Sequence, residues 1–545
     1  MMHVALSGVL AGLLVSSAWA VEVQAPSAAG QTPSDPQRLE ALRQHAAPKP
    51  REAAAVTPQL AQPDFKDRSC LRASGVRMQG ADLIPELERQ SWLEAAPSQS
   101  GCVAIGDVNA LLYNLSTWYM QRGYVTSQPV SSDVNEQGEL VIQVMQGRIE
   151  KIVSSDPRIS VKGLLSDPDA VLNLRAIEQA ASQINRLDSR AIAFDIEPGE
   201  ASGTSVVKLR PQTALPERDW AAQGSVDNHD TKQLRGSLSL SIDNLLGRNE
   251  SVYINTSREL NQLESRSRAH FVSINVPDGY SSYSASAYAS YSTAPVTEQL
   301  DVDTAWTSLS LKWDRVLSRG QTLITAISLD VTRDRATQVL GDYAVQSASW
   351  DVTHATVGLD VQHNESAYNS ALKVQLDHGL NGFKDGSPYR SDYTSAGVLT
   401  TLSVPLAERV SLTALARGQY TLDNVPGFKR FSIGGVVSVP GYRRHDYSGN
   451  SGALTQIQLS WQLPGIGQSG LLGQPFGHQL SLSQTTGWIF SDAHDDTVKL
   501  SSIALQYAFA WGAVSGSLGW ATPLHTSDTS AVKSDDWTAS LAYRY

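Results

Sequence analysis

Helical and strand periodicities occupy different parts of this chain. Between about residues 65 and 213, apolar positions recur at helical spacing in two stretches, each followed by extended runs. Val103, Ile105, Val108, Leu111, Leu112, Leu115 and Tyr119 form the first stripe. It predicts a helix ending at Gly123, where a residue without Cβ takes the left-handed conformation at no steric cost. Val125 then begins an extended run, and Leu140, Ile142 and Val144 mark a second strand. Leu174, Ile177, Ala181, Ile184 and Leu187 define one face of an amphipathic helix over 174–187. A turn over Asp195–Glu200 and a strand over Ser205–Arg210 follow. These stretches predict two small α+β units, 65–149 and 150–214.

From about Leu215 onward the helical period is gone and strict alternation replaces it. Tyr283-Ala285-Ala287-Ala289-Tyr291, Leu309-Leu311-Trp313, Leu323-Thr325-Ile327-Leu329-Val331, Ala355-Val357-Leu359-Val361, Leu372-Val374-Leu376 and Ile503-Leu505-Tyr507-Phe509-Trp511 each alternate with polar or small residues. Period two marks strands with one apolar and one polar face. A soluble sandwich alternates too, but rarely needs so many long strands in one domain. A transmembrane barrel needs about 9–11 residues per tilted strand, an apolar outer face and aromatic girdles. The chain ends on Trp537, Ala539, Leu541, Tyr543 and Tyr545 in the same alternation. Such a final strand must close on the first, because lipid tolerates no unpaired edge. Residues 215–545 are therefore expected to form an antiparallel transmembrane β-barrel.

One stretch breaks the alternation, Phe431-Ser-Ile-Gly-Gly-Val-Val-Ser-Val-Pro-Gly-Tyr-Arg443. Gly434 and Gly435 accept positive φ, and Pro440-Gly441 favours a reversal. Strands carrying Leu412, Ala414, Ala416, Gly418 and Tyr420, and Ala453, Thr455, Ile457, Leu459 and Trp461, flank it. It reads as a long glycine-rich loop, near 434–450, between two strands.

Composition agrees with a membrane barrel. Charged residues are only 18% and the net charge is -11, with no basic stripe to meet a nucleic acid. Tyr (18) and Trp (12) outnumber Phe (9), which suits residues at a polar–apolar boundary. After the N-terminus no apolar run reaches the roughly 18 residues of a membrane-spanning helix. Residues 1–20 end in Ala18-Trp19-Ala20 and read as a secretory signal whose first region lacks Lys and Arg. An Ala-, Pro- and Gln-rich linker (21–64) follows, with a short helix over 34–45 capped by Ser34 or Asp35. Cys70 and Cys102 are either buried thiols or a disulfide; export to an oxidising compartment favours the bond.

Catalytic signatures are missing: no nucleophile elbow, phosphate loop or His-Glu-x-x-His helix occurs. His494-Asp495-Asp496 lies in a polar turn cluster and reads as a solvated loop, not a metal site. No enzyme activity, cofactor or metal is expected.

The glycine-rich loop resembles the inward-folded hairpin of TpsB-type two-partner secretion transporters, outer-membrane exporters of adhesins and haemolysins. That family carries Gly-Gly and then Val-Arg-Gly-Tyr/Phe; here the tetrad is Val439-Pro440-Gly441-Tyr442, with proline at the arginine position. Tyr119-Met-Gln-Arg-Gly-Tyr-Val-Thr-Ser-Gln128 with Gly147-Arg148-Ile149 resembles the family's first POTRA domain. Gln183-Ile-Asn-Arg-Leu187 with the Pro-Gly-Glu turn resembles the second. The resemblance implies a barrel of about sixteen strands and a 34–45 helix that can plug it. It also implies a terminal Tyr543/Tyr545 signal for the barrel-assembly machinery. In the family the tetrad arginine pairs with a wall aspartate; the matching wall stretch here, Ser483-Gln-Thr-Thr-Gly487, has Thr485 at the acidic position beside Gly487. Both charges are absent together, which avoids one unpaired buried charge. Tyr442 and either Arg443 or Arg444 are expected to hold the loop instead.

The implied function is export of an unfolded exoprotein of the TpsA type (adhesin, haemolysin or protease) from the periplasm through the outer membrane, without nucleotide. The implied partners are that exoprotein, outer-membrane lipid and the assembly machinery, with no nucleic acid. Arg122, Tyr124, Arg148 and Arg186 are the candidate exoprotein-binding residues in the POTRA units. A barrel-assembly protein would usually carry more POTRA units, and a diffusive porin would need none.

Overall fold

The computed structural model describes residues 65–164, 169–212, 218–230, 233–261, 266–297, 300–345, 349–381, 392–442, 447–465, 476–490, 497–527 and 535–545. The expected signal (1–20), the linker with its helix (34–45), Arg443, Arg444 and His494–Asp496 lie outside the described residues.

The first module is a three-stranded sheet covered by two helices, α1 (Glu86–Glu94) and α2 (Ile105–Gln121). The sheet runs Gly75–Gln79, Glu139–Met145, Gln128–Val134, with the first pair parallel and the second antiparallel. The α2 stripe buries Leu111, Leu115, Trp118 and Tyr119 against Ile142 and Val144. The helix stops at Gly123 (φ 89°), as its lack of Cβ predicts.

A short strand pair, Cys70–Arg72 with Cys102–Ala104, flanks this core, and Cys70 and Cys102 are bonded, Cα atoms 5.5 Å apart. Closing a loop of this length removes chain entropy worth about 3–4 kcal/mol from the unfolded state. Cys70→Ser/Cys102→Ser is therefore expected to weaken this module by that amount. Hydrogen exchange across residues 70–104 of the full-length protein, with and without reductant, measures it; unchanged protection would refute the estimate.

The second module packs α3 (Leu174–Asn185) on a sheet ordered Arg148–Ser154, Thr204–Pro211, Ile192–Pro198. Asn173 caps α3, its side chain accepting from the Arg175 N–H. Two expectations change here. Arg148 and Ile149 open the second sheet instead of closing the first, so the modules divide between 147 and 148. Asp195–Pro198 is strand, not turn, with Asp195 opposite Lys208; the reversal starts at Gly199. Pro198 misled the reading, yet it ends an edge strand, where a missing N–H costs nothing.

Sixteen long antiparallel strands, from Trp220–Asp230 to Asp536–Arg544, close into a barrel. Alternation sorts each strand: Ser308 and Ser310 are buried, whereas Leu309 and Leu311 are 57% and 61% exposed on the outer, lipid-facing side. Leu329, Val331, Val357, Leu359, Leu372, Val374 and Leu376 share that outer face. The seam joins Ser540–Arg544 to Gln223–Asp227. Beyond it Asn228 stands in for the ladder, donating to the Trp537 carbonyl (3.2 Å) and accepting from the Ala539 N–H (2.6 Å). Exposed Tyr543 and Tyr545 end the outer face, and the Arg218 guanidinium lies over the Trp220 and Tyr545 rings (5.1 and 4.7 Å).

Candidate functional site

The second module is fastened to barrel turns. Gly279 N–H donates to the Gly163 carbonyl (2.6 Å), Asn249 Nδ2 to the Ser160 carbonyl (2.7 Å), and Arg319 Nε to Gln179 Oε1 (3.0 Å). The Ser189 N–H donates to Asp243 Oδ2 (2.9 Å), and Arg190 forks onto both Asp219 oxygens (2.7 and 3.0 Å). These turns define the module end of the barrel. Antiparallel alternation then places segment 422–450, between Val410–Thr421 and Ser451–Gln462, at the opposite end.

The described residues of that segment fold back into the lumen and carry more regular structure than a glycine-rich loop implies. Phe431–Ile433 pairs antiparallel with Tyr447–Gly449, and Gly435–Ser438 makes one helical turn. Phe431, Ile433, Val439 and Tyr442 are buried with Leu454, Ile489 and Leu500 of the barrel wall. Such apolar side chains on a lumen wall have a partner only because the loop supplies it.

Gly487 lies beneath this contact; a Cβ there would sit 2.7 Å from Ile433 Cγ2 and 3.1 Å from Val439 Cγ2. Thr485, on the same strand, is buried. At the tip, Gly441 takes φ 95° and donates its N–H to Asp536 Oδ2 (2.7 Å) on the last strand. The Tyr442 hydroxyl lies between two carbonyls that accept from it, Ser501 (3.0 Å) and His525 (2.6 Å). The tip therefore meets three neighbouring strands through a carboxylate and main-chain oxygens. Pro440 offers no N–H and no charge, so its neighbours make the polar contacts: the Gly441 N–H, the Tyr442 hydroxyl and the Tyr442 carbonyl, which accepts from the Gly435 N–H (3.3 Å).

Sequence reasoning missed Asp536. It lies 95 residues from Gly441, and no local signal links them.

The four candidate residues of the modules separate. Arg122 is half-exposed, its guanidinium 4.3 Å over the Trp118 ring and 3.9 Å from Glu88. Tyr124 stacks on the same indole (6.2 Å, 4°) and packs against the first core. Arg148 is exposed and donates to the Asp169 carbonyl (2.6 Å). Arg186 is elsewhere: it lies against the barrel, donating to Ser251 Oγ (3.1 Å) and to the Asn249 carbonyl. Burial pulls its pKa down to about 10 despite nearby Asp243 and Glu250, so it remains a cation at neutral pH. It is a part-buried strut between module and barrel.

The modules are themselves tied through Asn173, whose Nδ2 donates to the Arg122 carbonyl (3.2 Å), and through the Leu174 N–H on the Gly123 carbonyl (2.7 Å).

This architecture has known counterparts. Residues 203–517 match the model of the haemolysin secretion/activation protein ShlB/FhaC/HecB family, 71–147 the ShlB-type POTRA domain and 148–198 a further POTRA domain. The outer membrane transporter CdiB of Escherichia coli O6:K15:H31 is 28% identical over 505 residues, covering 87% of this chain and 79% of the relative. The hemolysin transporter protein ShlB of Serratia marcescens is 28% identical over 466 residues, 80% of this chain and 79% of the relative. The solved structure of CdiB from Escherichia coli superposes with a TM-score of 0.80 at 25% identity, covering 94% of this chain and 97% of that one. Two POTRA domains, a closed sixteen-strand barrel, an inward-folded loop and a family match over more than half its length place this chain in the ShlB/FhaC/HecB family of two-partner secretion, as an outer-membrane transporter with periplasmic POTRA domains.

Proposed function

We propose that this transporter binds one unfolded TpsA-type exoprotein in the periplasm through its POTRA domains and exports it through the barrel without nucleotide. The carrying observation is the outer strand of the first POTRA sheet, Gln128–Val134. Among the described residues it has a sheet neighbour on one side only, and Val130 and Val134 stand 47% and 46% exposed on it. An extended chain can add to such an edge through main-chain hydrogen bonds, with alternate side chains meeting the valines; this recognises conformation more than sequence. Arg122 and Tyr124 directly precede that strand and are the residues to test beside it. The serine-lined barrel interior then supplies a polar path once the inward loop moves, and folding of the exoprotein outside biases direction.

The test compares extracellular and surface protein from cells with and without the gene. Loss of one large exoprotein, with fragments accumulating in the periplasm, is expected and names the cargo. A general fall in outer-membrane barrels would overturn export in favour of assembly, and no change in either fraction would point to a channel.

A further inference from the structure

The inward loop has a second attachment on the other side of its origin. Its tip reaches strands 498–511, 514–526 and 536–544, which follow it in the barrel. Its first leg, Pro426–Lys429, reaches strands 350–364 and 369–381, which precede it. Phe428 stacks on Trp350 (5.4 Å, 14°). Lys429 Nζ stands 3.2 Å from Asp377 Oδ2 and 3.2 Å from His354 Nδ1.

Asp377 is the hub of this cluster. It accepts from Tyr393 (2.8 Å) and Thr356 (2.6 Å), and His354 bridges it (2.9 Å) to Asp334 (3.0 Å). Asp334, His354, Asp377 and Tyr393 are all buried. Two buried carboxylates thus face one ammonium and one imidazole, and the ammonium is the only one of these groups that belongs to the loop. On the wall side of the leg, Gln419 Nε2 donates to the Lys429 carbonyl (2.7 Å) and to the Asn450 carbonyl (2.9 Å), tying the loop's two ends together. The loop is therefore a crossbar fixed at both sides of the lumen: at the tip the wall carboxylate Asp536 holds a neutral N–H, and at the first leg a cation of the loop meets wall carboxylates.

We propose that Lys429, seated on the Asp377–His354–Asp334 cluster, is the positioning residue that latches the inward loop across the lumen, so that release of this one cation frees the loop's first leg. A charge-assisted contact suits a latch. It is strong while water is excluded, and water entering behind a moving chain weakens it without any covalent change. The apolar contacts of Ile433 and Val439 lack that sensitivity, and the Gly441 N–H on Asp536 carries no loop charge to release.

The inference rests on the transporter reading, and planar-bilayer conductance of the purified full-length protein separates the two, because it needs no exoprotein. Heat-modifiable migration first establishes that each variant's barrel is folded. Lys429→Met keeps the aliphatic stem and removes the charge; it is expected to raise open-state occupancy about tenfold or more, while Lys429→Arg keeps the parental value. The double variant Lys429→Met/Asp377→Asn leaves no unmatched carboxylate from that pair and is expected to stay open. Parental conductance in Lys429→Met would overturn the latch. So would a double variant that closes again, since the opening would then come from a stranded carboxylate and not from a lost tie. Raised open-state occupancy in Lys429→Met, together with no loss of any exoprotein from cells lacking the gene, would count against the transporter reading and leave the latch standing.

Discussion

Gly441→Ala is expected to unseat the inward loop and abolish export while leaving the barrel folded. The new Cβ would lie 2.8 Å from the Pro523 nitrogen, 3.1 Å from its Cδ and 3.1 Å from the Thr522 carbonyl carbon. Thr522 and Pro523 are main-chain positions paired with Ile503 and Ser502 of the preceding strand, so they swing aside less readily than a flexible side chain would. The backbone adds its own penalty, since φ of 95° is unfavourable for any residue with a Cβ. Together the clash and the strain cost roughly 2–4 kcal/mol. That matches or exceeds the net worth of the Gly441 N–H contact with Asp536, roughly 1.5–3 kcal/mol for a bond to a charged group.

Gly427→Ala is the matched control, because nothing lies within 4 Å of a Cβ at that position. Secretion assays and bilayer conductance on both variants decide the matter. Parental secretion and conductance in Gly441→Ala would mean that the seated loop is not what sets the resting pore.

Asp219→Ala is expected to loosen the second POTRA domain from the barrel. The Arg190 side chain is fully buried, and its fork onto Asp219 is bidentate. Among the described residues, removing the carboxylate leaves a buried cation with only the Ser189 and Arg158 acceptors. Breaking such a pair costs about 3–5 kcal/mol, and the low end applies because Asp219 keeps 33% of its side chain in solvent. At about 3 kcal/mol, hydrogen exchange in α3 should accelerate about a hundredfold.

The same contact carries a pH signature. The hydrogen bond from Arg190, ahead of the burial that opposes it, holds the Asp219 carboxyl below the usual range. A depressed folded-state pKa contributes stability at neutral pH, and that stability is lost as pH falls through it. Docking should thus persist through mild acidification and fail only below the range where a free carboxylate protonates. Exchange rates in α3 that match the parent at neutral pH would refute the strut.

The order of modules, the identity of α2 and α3 and the lipid face of the strands whose alternation is plain, such as Leu300–Arg319 and Leu323–Leu340, were legible in the chain itself. Each depends on a short-range rule: a 3.6-residue period exposes one helix face, and a two-residue period one sheet face. Gly123 could be read as a helix end for the same reason, and the tetrad around Gly441 marked where the loop turns. What holds that loop could not be read. Asp536, Asp377 and His354 are single polar residues in alternating strands, where they look like any other lumen position. Only closure of the barrel brings strands up to a hundred residues apart around one lumen, and so decides which of them face Gly441 and which face Lys429.

Arg186 taught the same lesson from the other side. In the sequence it was a candidate exoprotein-binding residue on the amphipathic helix, but docking of the second POTRA domain sets it against Ser251 and Asn249 of the barrel. The sequence determined which faces are apolar, because that is written in neighbouring residues. The tertiary structure alone decided which polar groups meet, because those contacts join positions whose proximity exists only after folding.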